Sequence, residues 1–290
     1  MSNFNGIIVL DKPMGKTSHD MVYFMRRLTG VKKVGHTGTL DPDATGVLPI
    51  CIGNATKAAD MLTASDKAYR AKFVLGITTD TQDTSGKVLE EKPIKCSNEE
   101  IQKAILSFVG EYEQLPPMYS AIKQNGKKLY ELAREGKTVE REKRRVRIDR
   151  IDILKLGHES EIEVYCSKGT YIRTLCNDIG EFLGTGAAMS QLRRIKTGPF
   201  NIDSAKTCEE LLEFQEKGRL NEVLISVDSM FLELQKILLT KNQTRSVKNG
   251  VIMTYHKPDG LYRVYDDTDK FICIGRIENE KIRIEKSFFG

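Results

Sequence analysis

Hydrophobic positions along the chain recur with two periods, about 3.6 residues and two, which divide it into helices and strands. Residues 6–10 are a short apolar run ending in the turn Asp11-Lys12-Pro13-Met14-Gly15. A helix follows, capped by Thr17 or Ser18, with Met21, Val22, Met25 and Leu28 on one face and Gly30 as its stop. From Tyr69 to Gly76 the period drops to two, with Ala71, Phe73 and Leu75 on one face and Arg70 and Lys72 on the other. This predicts a half-buried strand, and a second strand is centred on Val88. Ser97-Asn98-Glu99-Glu100 reads as a capping box for a helix that turns Ile101, Ala104, Ile105, Phe108 and Val109 inward and stops at Gly110. Strands are predicted over 146–154 and 161–167. A helix then starts at Gly169-Thr170, with the buried stripe Ile172, Leu175, Cys176, Ile179, Phe182 and Leu183. Helices are also predicted over 208–217 and 232–240, and a short one ends at Asn249-Gly250. Three closely spaced strands, 261–265, 271–277 and 282–288, then suggest a small separate β-barrel. The class is α+β.

A length of 290 residues permits one or two domains with full cores. No apolar run reaches the roughly 18 to 20 residues of a membrane span. The first six residues lack the basic flank and apolar core of a secretory signal, so the expected compartment is the cytoplasm. Six cysteines are scattered without a C-x-x-C pair, and only four histidines accompany them. The expectation is no metal site, with the cysteines acting as small buried hydrophobes. Charge is uneven: residues 121–150 hold eleven Lys and Arg against five acids, while the whole chain carries +5. Concentrated positive charge suits a phosphate-rich partner, although a solvated loop would read the same way. Gly15-Lys16-Thr17 invites a phosphate-loop reading, but that motif needs a glycine where this chain has Leu10.

The segment Gly35-His36-Thr37-Gly38-Thr39-Leu40-Asp41-Pro42-Asp43-Ala44-Thr45-Gly46 excludes a regular helix or central strand. Val34 before it and Val47, Leu48 and Ile50 after it anchor the loop in core, a common setting for catalytic groups. Asp41 and Asp43 also suit a plain turn-forming role. Arg173 adds a second clue. It falls in the first turn of its predicted helix, where a cation opposes the helix dipole unless an anion offsets it. Arginine beside a carboxylate favours the ionised form that a nucleophile must have.

These residues carry a family resemblance. Residues 35–48, G-H-T-G-T-L-D-P-D-A-T-G-V-L, closely resemble the catalytic loop of the tRNA pseudouridine-55 synthases of the TruB type. L-D-K-P-M-G-K-T-S (10–18), G-N-A-T-K (53–57), K-A-Y-R-A (67–71), S-K-G-T-Y-I-R-T-L (167–175) and L-R-R (192–194) resemble further motifs of that family in the same order. The match is strong over about residues 5–200 and weaker beyond.

The resemblance implies a pseudouridine synthase fold: a mixed, largely antiparallel central sheet flanked by helices, plus a small C-terminal PUA-like β-barrel. It implies a catalytic domain over 1–235, with a basic RNA-clamping insertion at about 120–150, and a short PUA-like RNA-binding domain over 236–290. Its reaction turns uridine 55 in the tRNA T-loop into pseudouridine. The substrate supplies every atom, so no cofactor or metal is implied. By that analogy Asp41 is the nucleophile, attacking either the base or the sugar C1′, and Arg173 pairs with it. Tyr69 stacks on the uracil and helps remove the C5 proton, Tyr171 and Leu192 line the base pocket, and His36 contacts the RNA distorted by base flipping. Lys57 is read as a phosphate contact, and Asp43 keeps the turn-forming role. The implied partner is the tRNA T-arm alone, bound by a monomer without other proteins or a membrane. Two alternatives stand beside this one: a guide-RNA-dependent synthase, and an RNA chaperone that binds the T-arm without chemistry.

Overall fold

The computed structural model describes residues 4–124 and 126–289. A nine-stranded mixed sheet organises the chain. Its order is Gly6–Lys12, Thr45–Ile52, Ala187–Thr197, Lys67–Leu75, Glu159–Cys166, Arg144–Lys155 and Gly110–Gln114. Val34–His36 adds to Thr45–Ile52, and Phe200–Asn201 to Ala187–Thr197. Every pairing is antiparallel except that of Ala187–Thr197 with Thr45–Ile52, where Arg193 lies opposite Thr45 and Arg194 opposite Gly46. That parallel seam joins the N-terminal strands to the rest of the sheet. The backbones there approach so closely that a Cβ on Gly46 would meet the Arg194 carbonyl oxygen at 2.2 Å, and Gly46 has φ +103°. Only glycine fits both conditions.

Alternation along the strands sets the cores. Phe73, Ile162 and Val164 face the helices Asn98–Leu106 and Ile172–Phe182, whose inward residues include Ile101, Ile105, Leu175 and Ile179. A second core holds the helix Ser18–Thr29 through Met21, Val22, Met25 and Leu28 against Ile8, Leu10, Leu48 and Ile50. The expected stripes are buried over Met21–Leu28, Ile101–Ile105 and Ile172–Ile179, but Val109, beyond the end of its helix at Leu106, and Phe182, in the last turn of its helix, are exposed at 43% and 62%. Four cysteines are buried and Cys96 and Cys208 partly so, all six with free thiols. Among the described residues, no helix is long and apolar enough to cross a membrane.

Three sequence expectations change. The helix carrying Arg173 starts at Ile172 with Tyr171 as N-cap, because Gly169 takes φ +83° and closes a turn. Residues 232–240 are not a helix: Gln235–Leu238 is a strand that pairs in parallel with Gly260–Tyr265. Ile237 and Leu239, two apart, are the buried positions, so the period is two. The basic stretch is divided. Lys123–Gln124 pairs with Lys127–Lys128 ahead of the helix Leu129–Arg134, whereas Arg144–Lys155 is a twelve-residue strand inside the main sheet.

The C-terminal sheet has five strands, in the order Gln235–Leu238, Gly260–Tyr265, Phe271–Glu278, Lys281–Ser287 and Met253–Thr254. One face has its own core around Ile237, Val264, Ile272 and Ile282. Ile274 and Phe288 pack instead with Ile7, Val9, Val47 and Phe231. The sheet is therefore docked on the N-terminal strands through shared apolar contacts.

Candidate active site

The glycine-rich loop closes the hairpin between Val34–His36 and Thr45–Ile52. Leu40 and Ala44 are buried and anchor it to the core beneath. The Leu40 N–H donates to Ser18 Oγ at 2.8 Å, and the Gly15 N–H donates to the Pro42 carbonyl at 2.9 Å. Two buried cations complete the mounting. Lys12 Nζ donates to the carbonyls of Pro13 (2.8 Å), Lys16 (2.6 Å) and Pro42 (3.0 Å). Arg194 Nε donates to the Val47 carbonyl at 2.7 Å and Nη2 to the Gly38 carbonyl at 3.1 Å. Burial holds the Lys12 ammonium below its usual range, partly offset by Asp43 and Asp41. Buried charge is costly unless well bonded, so these residues hold both ends of the loop in one geometry.

Asp41 meets Arg173 at the end of this loop. Arg173 Nη2 lies 3.1 Å from Asp41 Oδ2, and Nη1 lies 3.5 Å from Asp83 Oδ2. The guanidinium also donates to the Thr81 carbonyl at 3.2 Å and the Tyr119 carbonyl at 2.8 Å. Two carboxylates thus offset a cation in the first turn of a helix, which resolves the electrostatic conflict visible in the sequence. The two acids differ in what holds them. Asp83 Oδ1 accepts from Thr81 Oγ1 (2.7 Å), the Ser85 N–H (3.1 Å) and Ser85 Oγ (2.6 Å), so its second oxygen is fixed toward Arg173. The Asp41 side chain is 50% exposed, whereas that of Arg173 is 8% exposed. The arrangement presents one carboxylate to a ligand while the arginine and the other acid sit behind it.

A cavity of about 930 Å³ opens over this pair. Asp41, Arg173, Tyr69, Tyr171, Leu192 and His36 all line it. Tyr69 shares the inward face of its strand with Ala71 and Phe73, and burial raises its phenol above the ordinary tyrosine range. The nearby Arg194 opposes that rise. Tyr171 is held at its backbone by Gln114, which accepts from the Tyr171 N–H at 2.8 Å and donates to its carbonyl at 2.9 Å. Burial raises this phenol as well, with the nearby Arg144 and Arg173 acting against it. Burial, then the charges of Arg194 and His19, push the His36 imidazole down, which favours its neutral form. Both phenols and the imidazole are thus uncharged near neutral pH and can face a flat, uncharged base. The volume lies within the range of small-ligand sites.

Lys57 is not brought to this cavity. It sits in the turn Gly53–Ala58, and its ammonium donates to Ser287 Oγ at 3.3 Å and the Phe289 carbonyl at 3.0 Å. It thereby ties the end of the last strand, Lys281–Ser287, and the segment after it to the turn Gly53–Ala58, a contact for which spacing in the sequence gives no sign. Sequence reasoning also missed Asp83, Lys12 and Arg194. The run Thr81-Gln82-Asp83-Thr84-Ser85-Gly86 reads as an ordinary polar loop, and its Arg173 contact spans ninety residues. Arg194 was within reach, because two adjacent arginines on one strand must point to opposite faces.

The model for the N-terminal domain of TruB family pseudouridylate synthases matches residues 26–172. The model for the C-terminal domain of tRNA pseudouridylate synthase B matches residues 173–232. The chain belongs to the TruB family of pseudouridylate synthases. The tRNA pseudouridine synthase B of Alkaliphilus oremlandii is 46% identical over 284 residues, covering 95% of this chain and 94% of that protein. The protein of the same name from Clostridioides difficile is 44% identical over 285 residues, covering 94% of each. Among solved structures, a crystal structure of a Cbf5-Nop10-Gar1 complex aligns with a TM-score of 0.74 and 25% identity, over 99% of this chain and 85% of that one. The fold is that of the pseudouridine synthases.

Proposed function

We propose that the chain isomerises the uridine at position 55 in the T-loop of tRNA to pseudouridine, with Asp41 as nucleophile. The observation that carries this reading is the Asp41–Arg173 contact, 3.1 Å, at the base of a cavity walled by Tyr69, Tyr171 and Leu192. The close relatives named tRNA pseudouridine synthase B support the substrate class. In the proposed reaction the flipped uridine enters the cavity and Tyr69 stacks on the uracil. The half-exposed Asp41 attacks the base or the sugar C1′, and the N1–C1′ bond breaks. The base turns and C5 bonds to C1′. That bond displaces the Asp41 carboxylate from C1′ or, where Asp41 had added to the base, is followed by its elimination. The C5 proton leaves with help from Tyr69, and N1, which kept the electrons of the N1–C1′ bond, gains a proton from solvent. Every atom of the product comes from the uridine and solvent, so the step calls on no cofactor or metal. Flipping costs a few kcal/mol, and His36 at the cavity wall is suited to hold the vacated position.

Residues 1–235 are proposed as the catalytic unit, with the basic hairpin and helix before Arg144 gripping the T-arm. Residues 236–290 are proposed as a PUA-like RNA-binding module, and the enzyme acts as a cytoplasmic monomer without a protein partner. The guide-RNA-dependent alternative rests on likeness at 25% identity, against 46% for the tRNA enzyme of A. oremlandii. Incubating the purified protein alone with unmodified tRNA and mapping pseudouridine tests the reading. Product at the T-loop uridine supports it. Product only after addition of guide RNA, or binding without product, overturns it.

A further inference from the structure

The helix Ser18–Thr29 leads away from the cavity along a face that the proposed chemistry does not use. His19, exposed at its first turn, lines the cavity mouth together with Met14, which is 62% exposed. One turn further out stands Tyr23, 53% exposed, a large aromatic with no place in a core. The two rings meet edge to face, with centroids 4.7 Å apart and planes at 86°. The Arg26 guanidinium carbon lies 5.4 Å from the Tyr23 ring centre. The imidazole, phenol ring and guanidinium therefore form one row on the outer face of the helix.

The helix and the turn that follows it carry more cations than acids. Between Asp20 and Asp41 the sequence contains Arg26, Arg27, Lys32 and Lys33 and no acid. Arg27, Lys32 and Lys33 are exposed. Asp20 is the one acid of the helix, and its carboxylate accepts from the Thr17 N–H at 2.8 Å and Thr17 Oγ1 at 2.7 Å to cap the helix start. Exposed aromatics interleaved with arginine and lysine are the composition that holds single-stranded nucleic acid. Bases stack on rings while cations follow the phosphates.

We propose that this face is a nucleotide-binding ledge for the unpaired residues of the substrate RNA adjoining the target uridine. A base stacks on the His19–Tyr23 pair, and Arg27, Lys32 and Lys33 hold successive phosphates. The ledge rests on the reading of the cavity as a uridine-isomerising site, since its occupant is the strand that leaves that cavity.

The test measures the dissociation constant of unmodified tRNA at several KCl concentrations. Tyr23→Ala and His19→Ala should each weaken binding about fivefold or more, as expected for loss of a base stack. Tyr23→Phe should remain within about twofold of the parent, because it keeps the ring. Replacing Arg27, Lys32 and Lys33 together by glutamine should reduce the slope of log K against log salt by about 2, the value for three phosphate contacts on a single strand. A Tyr23→Ala protein that binds as tightly as the parent overturns the ledge, as does equal weakening by Tyr23→Phe. Pseudouridine mapped in the same tRNA with the parent protein tests the isomerase reading separately: product made while Tyr23→Ala binds normally refutes the ledge alone.

Discussion

Replacing Arg173 by lysine keeps the positive charge but removes the planar fork that reaches four acceptors. In the parent, Nη2 lies 3.1 Å from Asp41 Oδ2 and 2.8 Å from the Tyr119 carbonyl, while Nη1 lies 3.5 Å from Asp83 Oδ2 and 3.2 Å from the Thr81 carbonyl. One ammonium cannot occupy both nitrogen positions, so lysine forfeits at least one carboxylate and one carbonyl contact. A neutral hydrogen bond contributes about 1 kcal/mol, and a charged one about 1.5 kcal/mol when its partner is as exposed as Asp41. The total of about 2.5 kcal/mol corresponds to a loss of about 70-fold in kcat/KM. Single-turnover pseudouridine formation over a range of tRNA concentrations would place that loss in the rate rather than in binding. Thermal unfolding of the variant checks that the buried helix start survives. A variant within about threefold of the parent rate would refute the idea that this fork orients Asp41.

Asp83→Asn keeps the acceptor for Thr81 and Ser85 and removes one anion from Arg173, so turnover should fall by about 5- to 30-fold with unchanged thermal stability; an unchanged rate would count against Asp83. Gly46→Ala should destabilise the protein by about 3 kcal/mol or more, read from the urea midpoint, because the new methyl meets the Arg194 carbonyl oxygen in a left-handed backbone. The third prediction concerns pH. Burial, reinforced by Arg194, lowers Lys67 to about 8 from 10.5. Between these values the unfolded chain holds a proton that the folded chain releases, so this group adds stability as pH rises through that window and adds none below it. The stability of the parent relative to Lys67→Met should therefore be flat below pH 8 and grow toward pH 10.5 in urea titrations; a flat difference throughout would contradict it.

Local pattern carried much of this molecule. The alternation of Ala71, Phe73 and Leu75 and the stripe Met21, Val22, Met25 and Leu28 each named a buried face that the structure keeps. Asp41 and Arg173 were legible as a pair because each is locally odd, one in a loop anchored by core and the other a cation at a helix start. What stayed hidden depends on contacts between distant segments. Asp83 reaches Arg173 only after the sheet brings residues ninety apart together. Lys12 and Arg194 are fully buried, yet in sequence they look like any solvated cation. Residues 232–240 mix apolar positions at both periods, and pairing with Gly260–Tyr265 selected the strand. Lys57 is decided by the chain end that docks on it.

The measurement that bears most directly on Asp41 as nucleophile is turnover by Asp41→Asn, which keeps the size of the side chain and removes its charge. Incubated with unmodified tRNA, the variant should form no detectable pseudouridine at the T-loop uridine while binding the tRNA within about twofold of the parent. Pseudouridine accumulating at that position in the variant reaction would contradict the assignment.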